Sequence, residues 1–102
     1  MAHQVILLHE KDDVATALVD LALGETVRAT LDDRTVEVVL REDIAFGHKV
    51  ALRDIAQGEE VLKYGMPIGR ALCDIHTGEW VHVHNCRSHR WGFHNDRYGL
   101  QA

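Results

Sequence analysis

FGHKVALRDIAQGEEVLKYGMPIGRALCDIHTGEWVHVHN, residues 46–85, decides the fold of this chain. It contains one phrase twice, Asp-Ile-x-x-Gly-Glu-x-Val, at Asp54–Val61 and again at Asp74–Val81. A looser copy lies upstream, Asp20-Leu21-Ala22-Leu23-Gly24-Glu25-Thr26-Val27. Each residue of the phrase has a physical task. Asp hydrogen-bonds backbone a little further on and opens a turn. Leu or Ile anchors the turn inward. Gly supplies the positive φ that closes it, and Glu leads a β-branched residue into a strand. The phrase is therefore scaffold, a turn that launches a strand. Chemistry is to be sought beside the copies, in Gly47-His48-Lys49 and in His82-Val83-His84-Asn85.

Outward from that stretch the chain reads as short strands separated by turns. Gln4–Leu8 is a buried strand, followed by the polar break His9–Asp13. Asp12 or Asp13 is placed to N-cap a brief helix over Val14–Leu18. Thr26–Leu31 and Thr35–Leu40 each alternate apolar and polar residues around Asp32-Asp33-Arg34, the pattern of a β-hairpin. Further strands are expected at His48–Leu52, Glu60–Lys63, Ile68–Leu72 and Trp80–His84. Tyr64–Pro67 reads as a turn, with Pro67 barring a central strand there. The sum is an all-β chain with several short strands and little helix, a small barrel or clip. The copies are unevenly spaced, which excludes a solenoid.

At 102 residues the chain makes one domain with one modest core. No run is long enough to span a membrane, and the first ten residues do not resemble a signal peptide, so a cytoplasmic location is expected. Cys73 and Cys86 make no disulfide framework and are expected as reduced thiols. The net charge is −5, unevenly divided: the segment from Arg87 onward carries +2 and the remainder −7. An acidic body excludes nucleic acid as a partner. The basic aromatic segment 87–102 suits a protein partner or an anionic substrate. Of eight histidines, five fall in the last third: His76, His82, His84, His89 and His94. Such crowding points toward metal or acid–base work.

Two groups stand out. His48 beside Lys49 joins a titratable ring to a cation; the cation favours the neutral ring as a base, and Lys49 itself could bind a carboxylate. His82 and His84 are two apart on an expected strand, so they would share a face and could share one metal ion. His9 with Asp13 forms a further His/Asp pair. Tyr64, Cys73 and Trp80 read as packing. Phosphate loops, serine nucleophile elbows and zinc-type Cys/His spacings are absent from the sequence.

Four phrases then carry a family resemblance: His9-x-x-x-Asp13-Val14-Ala15-x-Ala17, Gly47-His48-Lys49-Val50-Ala51-Leu52-x-Asp54-Ile55, Lys63-Tyr64-Gly65-x-Pro67-Ile68-Gly69, and Gly78-Glu79-x-Val81-His82-Val83-His84-Asn85. Together they resemble the small SAF domain of the altronate/galactarate dehydratase family, which has a β-clip fold. The resemblance implies a SAF domain over residues 1–86 and a tail over 87–102. It implies a small subunit of a two-chain, iron(II)-dependent hydroxy-acid lyase, with the iron held mainly by a large catalytic subunit. The substrate implied is an altronate-type sugar acid, dehydrated to a 2-keto-3-deoxy acid. The alternatives are the small subunit of a (2R)-sulfolactate sulfo-lyase, which releases sulfite and pyruvate, and a stand-alone SAF module that binds an anionic ligand. Carried over by position, His48 is an acid/base or substrate contact and Lys49 a carboxylate contact. His9 and Asp13 line the same mouth, and His82 and His84 are metal candidates.

Overall fold

The computed structural model describes residues 4–88. The tail read over 87–102 lies outside them from residue 89 onward. All regular structure is β: β1 (Val5–Ile6), β2 (Val14–Ala17), β3 (Thr26–Leu31), β4 (Arg34–Val39), β5 (Lys49–Ala51), β6 (Glu60–Lys63), β7 (Met66–Ala71), β8 (Trp80–Val81) and β9 (Cys86–Ser88). Every pairing is antiparallel. The strands form three sheets, ordered β1-β2-β5-β8, β3-β4 and β6-β7-β9. The all-β expectation holds, and the described residues contain no helix.

The core is built from two clusters. One gathers Val5, Leu7, Leu21, Val27, Val38, Leu40, Ile44 and Val50; the other gathers Val14, Ala51, Ile55, Val61, Ile75 and Val81. The alternation read in the first hairpin is realised: Val27 and Ala29 face inward from β3, and Val38 from β4.

The segment over Val14–Leu18 is not a helix. Val14–Ala17 is a strand held between β1 and β5, and nearly all of it is buried. Five residues cannot sustain an isolated helix, whereas a strand with neighbours on both sides satisfies its backbone fully. The carboxylates read as helix caps serve another element. Asp12, 1% exposed, accepts the N–H groups of Tyr64 and Gly65 at 3.0 and 2.8 Å. Asp13 accepts the Leu62 N–H at 2.8 Å and pairs with Arg53 at 2.6 Å. Both acids thus hold the β6–β7 hairpin.

That hairpin also moves the turn read over Tyr64–Pro67. It closes on Tyr64 and Gly65 alone, both at positive φ (59° and 74°), the geometry that suits strand twist in a two-residue loop. Pro67 lies within β7, although β7 is the middle strand of its sheet. Pairing with β9 begins only at Gly69, so the missing N–H of Pro67 deprives no partner on that side. On the other side the register with β6 shifts between Val61 and Leu62. Cys73 and Cys86 are free thiols, exposed and buried respectively.

Candidate functional site

Four turns, not three, carry the fold. The fourth is Asp43-Ile44-Ala45-Phe46-Gly47-His48-Lys49-Val50, the same phrase with His in place of Glu. The glycines of all four have φ between 85° and 91°. In each, the Gly N–H donates to a carbonyl at or just past the end of a strand: Gly24 to Leu40, Gly47 to Ala17, Gly58 to Ala71 and Gly78 to Ala51. The turns then pair. Ile44 bridges Leu21, and Ile75 bridges Ile55. Within each pair the aspartates cross over: Asp20 accepts the Phe46 N–H and Asp43 the Leu23 N–H, Asp54 accepts the Thr77 N–H and Asp74 the Gln57 N–H, all at 2.8–2.9 Å.

Three of the four turns also close on themselves. Glu25, Glu59 and Glu79 accept the N–H of Ala22, Ala56 and His76 at 2.6–2.7 Å. His48 stands where the fourth carboxylate would be. Its backbone behaves like theirs, with its N–H on the Ala45 carbonyl at 3.0 Å. Its side chain instead turns to Trp80, whose indole N–H donates to His48 Nδ1 at 2.9 Å. Gly47 is needed for φ of +85°, and a Cβ there would meet nothing within 4 Å.

Trp80 is the hub of a ring cluster. His82 stacks on it at 5.0 Å and 12°, His48 tilts against it at 5.2 Å, and His84 at 4.9 Å. His48 and His82 are 5.3 Å apart. The strand expected over Trp80–His84 stops at Val81, and His82 and His84 sit in the turn between β8 and β9. They do not alternate along a strand. Buried Asn85 shapes that turn, accepting the His82 N–H at 2.9 Å and donating to the Trp80 carbonyl at 2.7 Å.

The Trp80 bond also fixes the His48 tautomer. An indole N–H only donates, so Nδ1 carries no proton and the neutral ring holds its proton on Nε2. The ring therefore presents a donor rather than the free lone pair of a base.

Lys49 follows His48 but lines a different hollow. His48 and Trp80 border one of about 490 Å³, with Asp20, Glu25 and Asp43 on its rim. Lys49 borders one of about 420 Å³, with Lys63, Tyr64, His82 and Cys86. Burial, then nearby Lys63, lowers the Lys49 pKa. Burial, then the charges of His48, Lys49 and His84, lowers that of His82. Burial pushes the Cys86 thiol up.

The structure thus gathers His48, His82 and His84 around Trp80, with Lys49 adjoining. It places the other two candidates elsewhere. Asp13 has both carboxylate oxygens engaged. The His9 ring lies over Gly65, and its Nδ1 accepts the Lys11 N–H at 3.1 Å. These two support the hairpin that carries Lys63 and Tyr64. Sequence reasoning read Trp80 as packing, named Asn85 only as the end of the histidine phrase, and gave Lys63 no role of its own. Trp80 had a signal: it follows the Gly-Glu of the last turn, beside the histidine phrase. Among the described residues no three of His, Cys, Asp or Glu are grouped to hold a metal. The ring cluster by itself does not fit an iron site.

An all-β domain of short antiparallel sheets joined by paired Asp-Leu/Ile-x-x-Gly turns is consistent with a small SAF domain. The sequence model of the altronate/galactarate dehydratase SAF domain matches residues 3–89, and the chain belongs to that family. It is 50% identical over 95 residues to altronate dehydratase of Escherichia coli, covering 93% of this chain but 18% of that protein. Altronate dehydratase of Bacillus subtilis is 41% identical over 83 residues, of which the chain spans 16%. The alpha subunit of (2R)-sulfolactate sulfo-lyase from Chromohalobacter salexigens is 37% identical over 89 residues, covering 83% of this chain and 95% of that subunit. No helix of the described residues is long and apolar enough to cross a membrane.

Proposed function

We propose that this chain is the small subunit of a two-chain hydroxy-acid lyase, completing the substrate site of a large catalytic subunit. The substrate is an altronate-type sugar acid, dehydrated to a 2-keto-3-deoxy acid. One observation carries the reading. His48 is the single departure from the Gly-Glu rule of four matched turns, and it gives up a turn-closing carboxylate to point a ring toward Trp80. The exchange trades a contact within the turn for one with the indole and brings the imidazole to the rim of a hollow.

In such a dehydration the proton on C2 is removed and the C3 hydroxyl leaves as water. The resulting enol becomes the keto acid. Negative charge builds on the carboxylate during proton removal, so fixed donors and cations there lower the barrier. His48 Nε2–H suits a hydrogen bond to a substrate oxygen, and Lys49 suits the carboxylate. In this reading the iron(II) implied for the family is held by the large subunit, in keeping with the lack of a three-ligand group among the described residues. The enzyme is cytoplasmic in this reading.

The sulfolactate sulfo-lyase reading stands second, supported by the 95% coverage of a protein that is itself named an alpha subunit. The test combines the purified chain with a catalytic chain of the family under anaerobic iron(II). Altronate and sulfolactate are offered side by side. Keto acid without sulfite, formed only by the mixture, is the expected result. Keto acid with sulfite would transfer the assignment to the sulfo-lyase. A complex that turns over neither substrate would overturn both readings, and failure to form any complex would leave a stand-alone anion-binding module.

A further inference from the structure

The hollow behind Lys49 has a composition that its neighbours do not explain. Two lysines border it, Lys49 from β5 and Lys63 from the end of β6. The chain as a whole is acidic, at −5. Yet no carboxylate among the described residues pairs with either lysine; the ion pairs formed are those of Arg28, Arg53 and Arg70. The Cys86 thiol at the floor does not supply the missing charge, because burial keeps it protonated. Lys63 Nζ lies over the Tyr64 ring, 4.9 Å from its centroid.

The frame of this hollow is costly. Tyr64 is a bulky residue at φ of +59°, a left-handed conformation that side chains rarely adopt. Buried Asp12 holds it there through the Tyr64 and Gly65 N–H groups. A turn of this kind usually takes Asn or Gly. The result places Lys63 and Tyr64 on the same hollow as Lys49 and His82. Behind them the floor is apolar: Ile68, Val81 and Cys86. Cations with no paired carboxylate among the described residues, over an apolar floor, favour an ion that arrives from outside, since contact with it offsets the burial of Lys49.

We propose that Lys49 and Lys63 together form a binding site for the oxyanion end of a small hydroxy acid, with Tyr64 and His82 flanking it. This deepens the lyase reading and rests on it for the choice of acid. The anion site itself is a property of this chain alone.

The test is therefore made on the isolated full chain, without a catalytic partner. Sodium gluconate, sodium sulfate and uncharged glycerol are titrated into labelled protein at constant ionic strength. The lysine ε-CH₂ and Nζ signals are followed by NMR. Gluconate and sulfate should each shift Lys49 and Lys63 saturably, with a dissociation constant of order millimolar, and glycerol should not. Lys49→Gln and Lys63→Gln should each weaken binding about three- to tenfold, while amide spectra show both variants folded. Shifts no larger than sodium chloride produces, or affinity unchanged in both variants, would overturn the site. Sulfate binding without gluconate binding would overturn the hydroxy acid. Because turnover is not read, failure here and failure of the lyase reading are separate results.

Discussion

The first and second turn pairs of this domain are built to one plan and differ at one side chain. In each, two Asp-Leu/Ile-x-x-Gly turns face each other, bridge through their aliphatic residues and exchange aspartate hydrogen bonds. Each pair brackets a hairpin, β3–β4 in one and β6–β7 in the other. The second pair is closed by two glutamates, Glu59 and Glu79; the first by Glu25 and an open His48. The backbone does not need the histidine, because its own hydrogen bonds repeat in all four turns. The side chain at that one position leaves its own turn and engages the Trp80 indole at the rim of a hollow.

The largest effect is expected from making the two pairs alike. His48→Glu would restore the fourth closing carboxylate, with the Ala45 N–H as its donor. Stability should change by no more than about 1 kcal/mol, because the gained turn contact offsets the lost Trp80 hydrogen bond. Activity of the reconstituted lyase should fall about 10²-fold or more, because a donor aimed at substrate is replaced by an anion. Thermal melts and steady-state kinetics on one preparation check both halves. Unchanged turnover would make His48 part of the scaffold after all.

The next effect separates two glycines with the same φ. Gly47→Ala meets open space and should cost only its left-handed backbone, about 1–2 kcal/mol. At Gly78 a Cβ would collide with the Val39 carbonyl oxygen, where the second pair abuts the first hairpin. Gly78→Ala should therefore cost about 3 kcal/mol or more, backbone and overpacking together. Urea unfolding of both variants measures the difference; equal losses would mean that the two pairs do not lean on each other at Val39.

A smaller effect is expected from the reverse exchange. Glu79→His removes the acceptor of the His76 N–H, which it holds at 2.6 Å. The loss should be about 1 kcal/mol in stability. If Lys49 acts from a preserved β5–β8 pair, turnover in the complex should change less than twofold to fivefold, far less than for His48→Glu. Comparable losses of activity would show that any change to a turn disturbs the site.

Much of this was legible in the residues. The Asp-Ile-x-x-Gly-Glu phrase announces its turns because Asp, Gly and Glu each answer a backbone demand within eight residues of each other. The β3–β4 hairpin shows in plain alternation. What escaped depends on contacts distant in sequence. Val14–Ala17 looks like a capped helix until β5 arrives beside it, and Asp12 and Asp13 find their donors some fifty residues on, at Leu62, Tyr64 and Gly65. The fourth turn was hidden by the very substitution that matters, His48 for Glu. His48 and Lys49 were named from their adjacency, yet adjacency where the turn enters β5 sends them to different hollows. Trp80 is an ordinary core aromatic by sequence, and becomes a hub only when the turn held by Asn85 folds His82 and His84 back over it.

The subtlest way to sharpen the comparison is with acid. In the second pair the Asp54 carboxyl lies below its usual range because it accepts the backbone and side-chain donors of Thr77. Glu59 lies below its range because it accepts the Ala56 N–H and, next, an Arg53 donor. A carboxylate whose folded pKa is depressed stabilises the fold above its unfolded pKa and loses that contribution as pH falls through the folded value. The unfolded values are 4.5 for Glu and 3.8 for Asp, so the loss should begin below pH 4.5 and deepen as Asp54 protonates. Asp54→Asn keeps an acceptor for Thr77 but cannot titrate. Its deficit against the unsubstituted chain should be full at neutral pH and shrink on acidification across that window. Urea unfolding at a series of pH values gives the difference directly. A deficit that stays constant from neutral to acid pH would mean that the charge on Asp54 does not strengthen the cross-turn bond, leaving geometry alone to hold the second pair together.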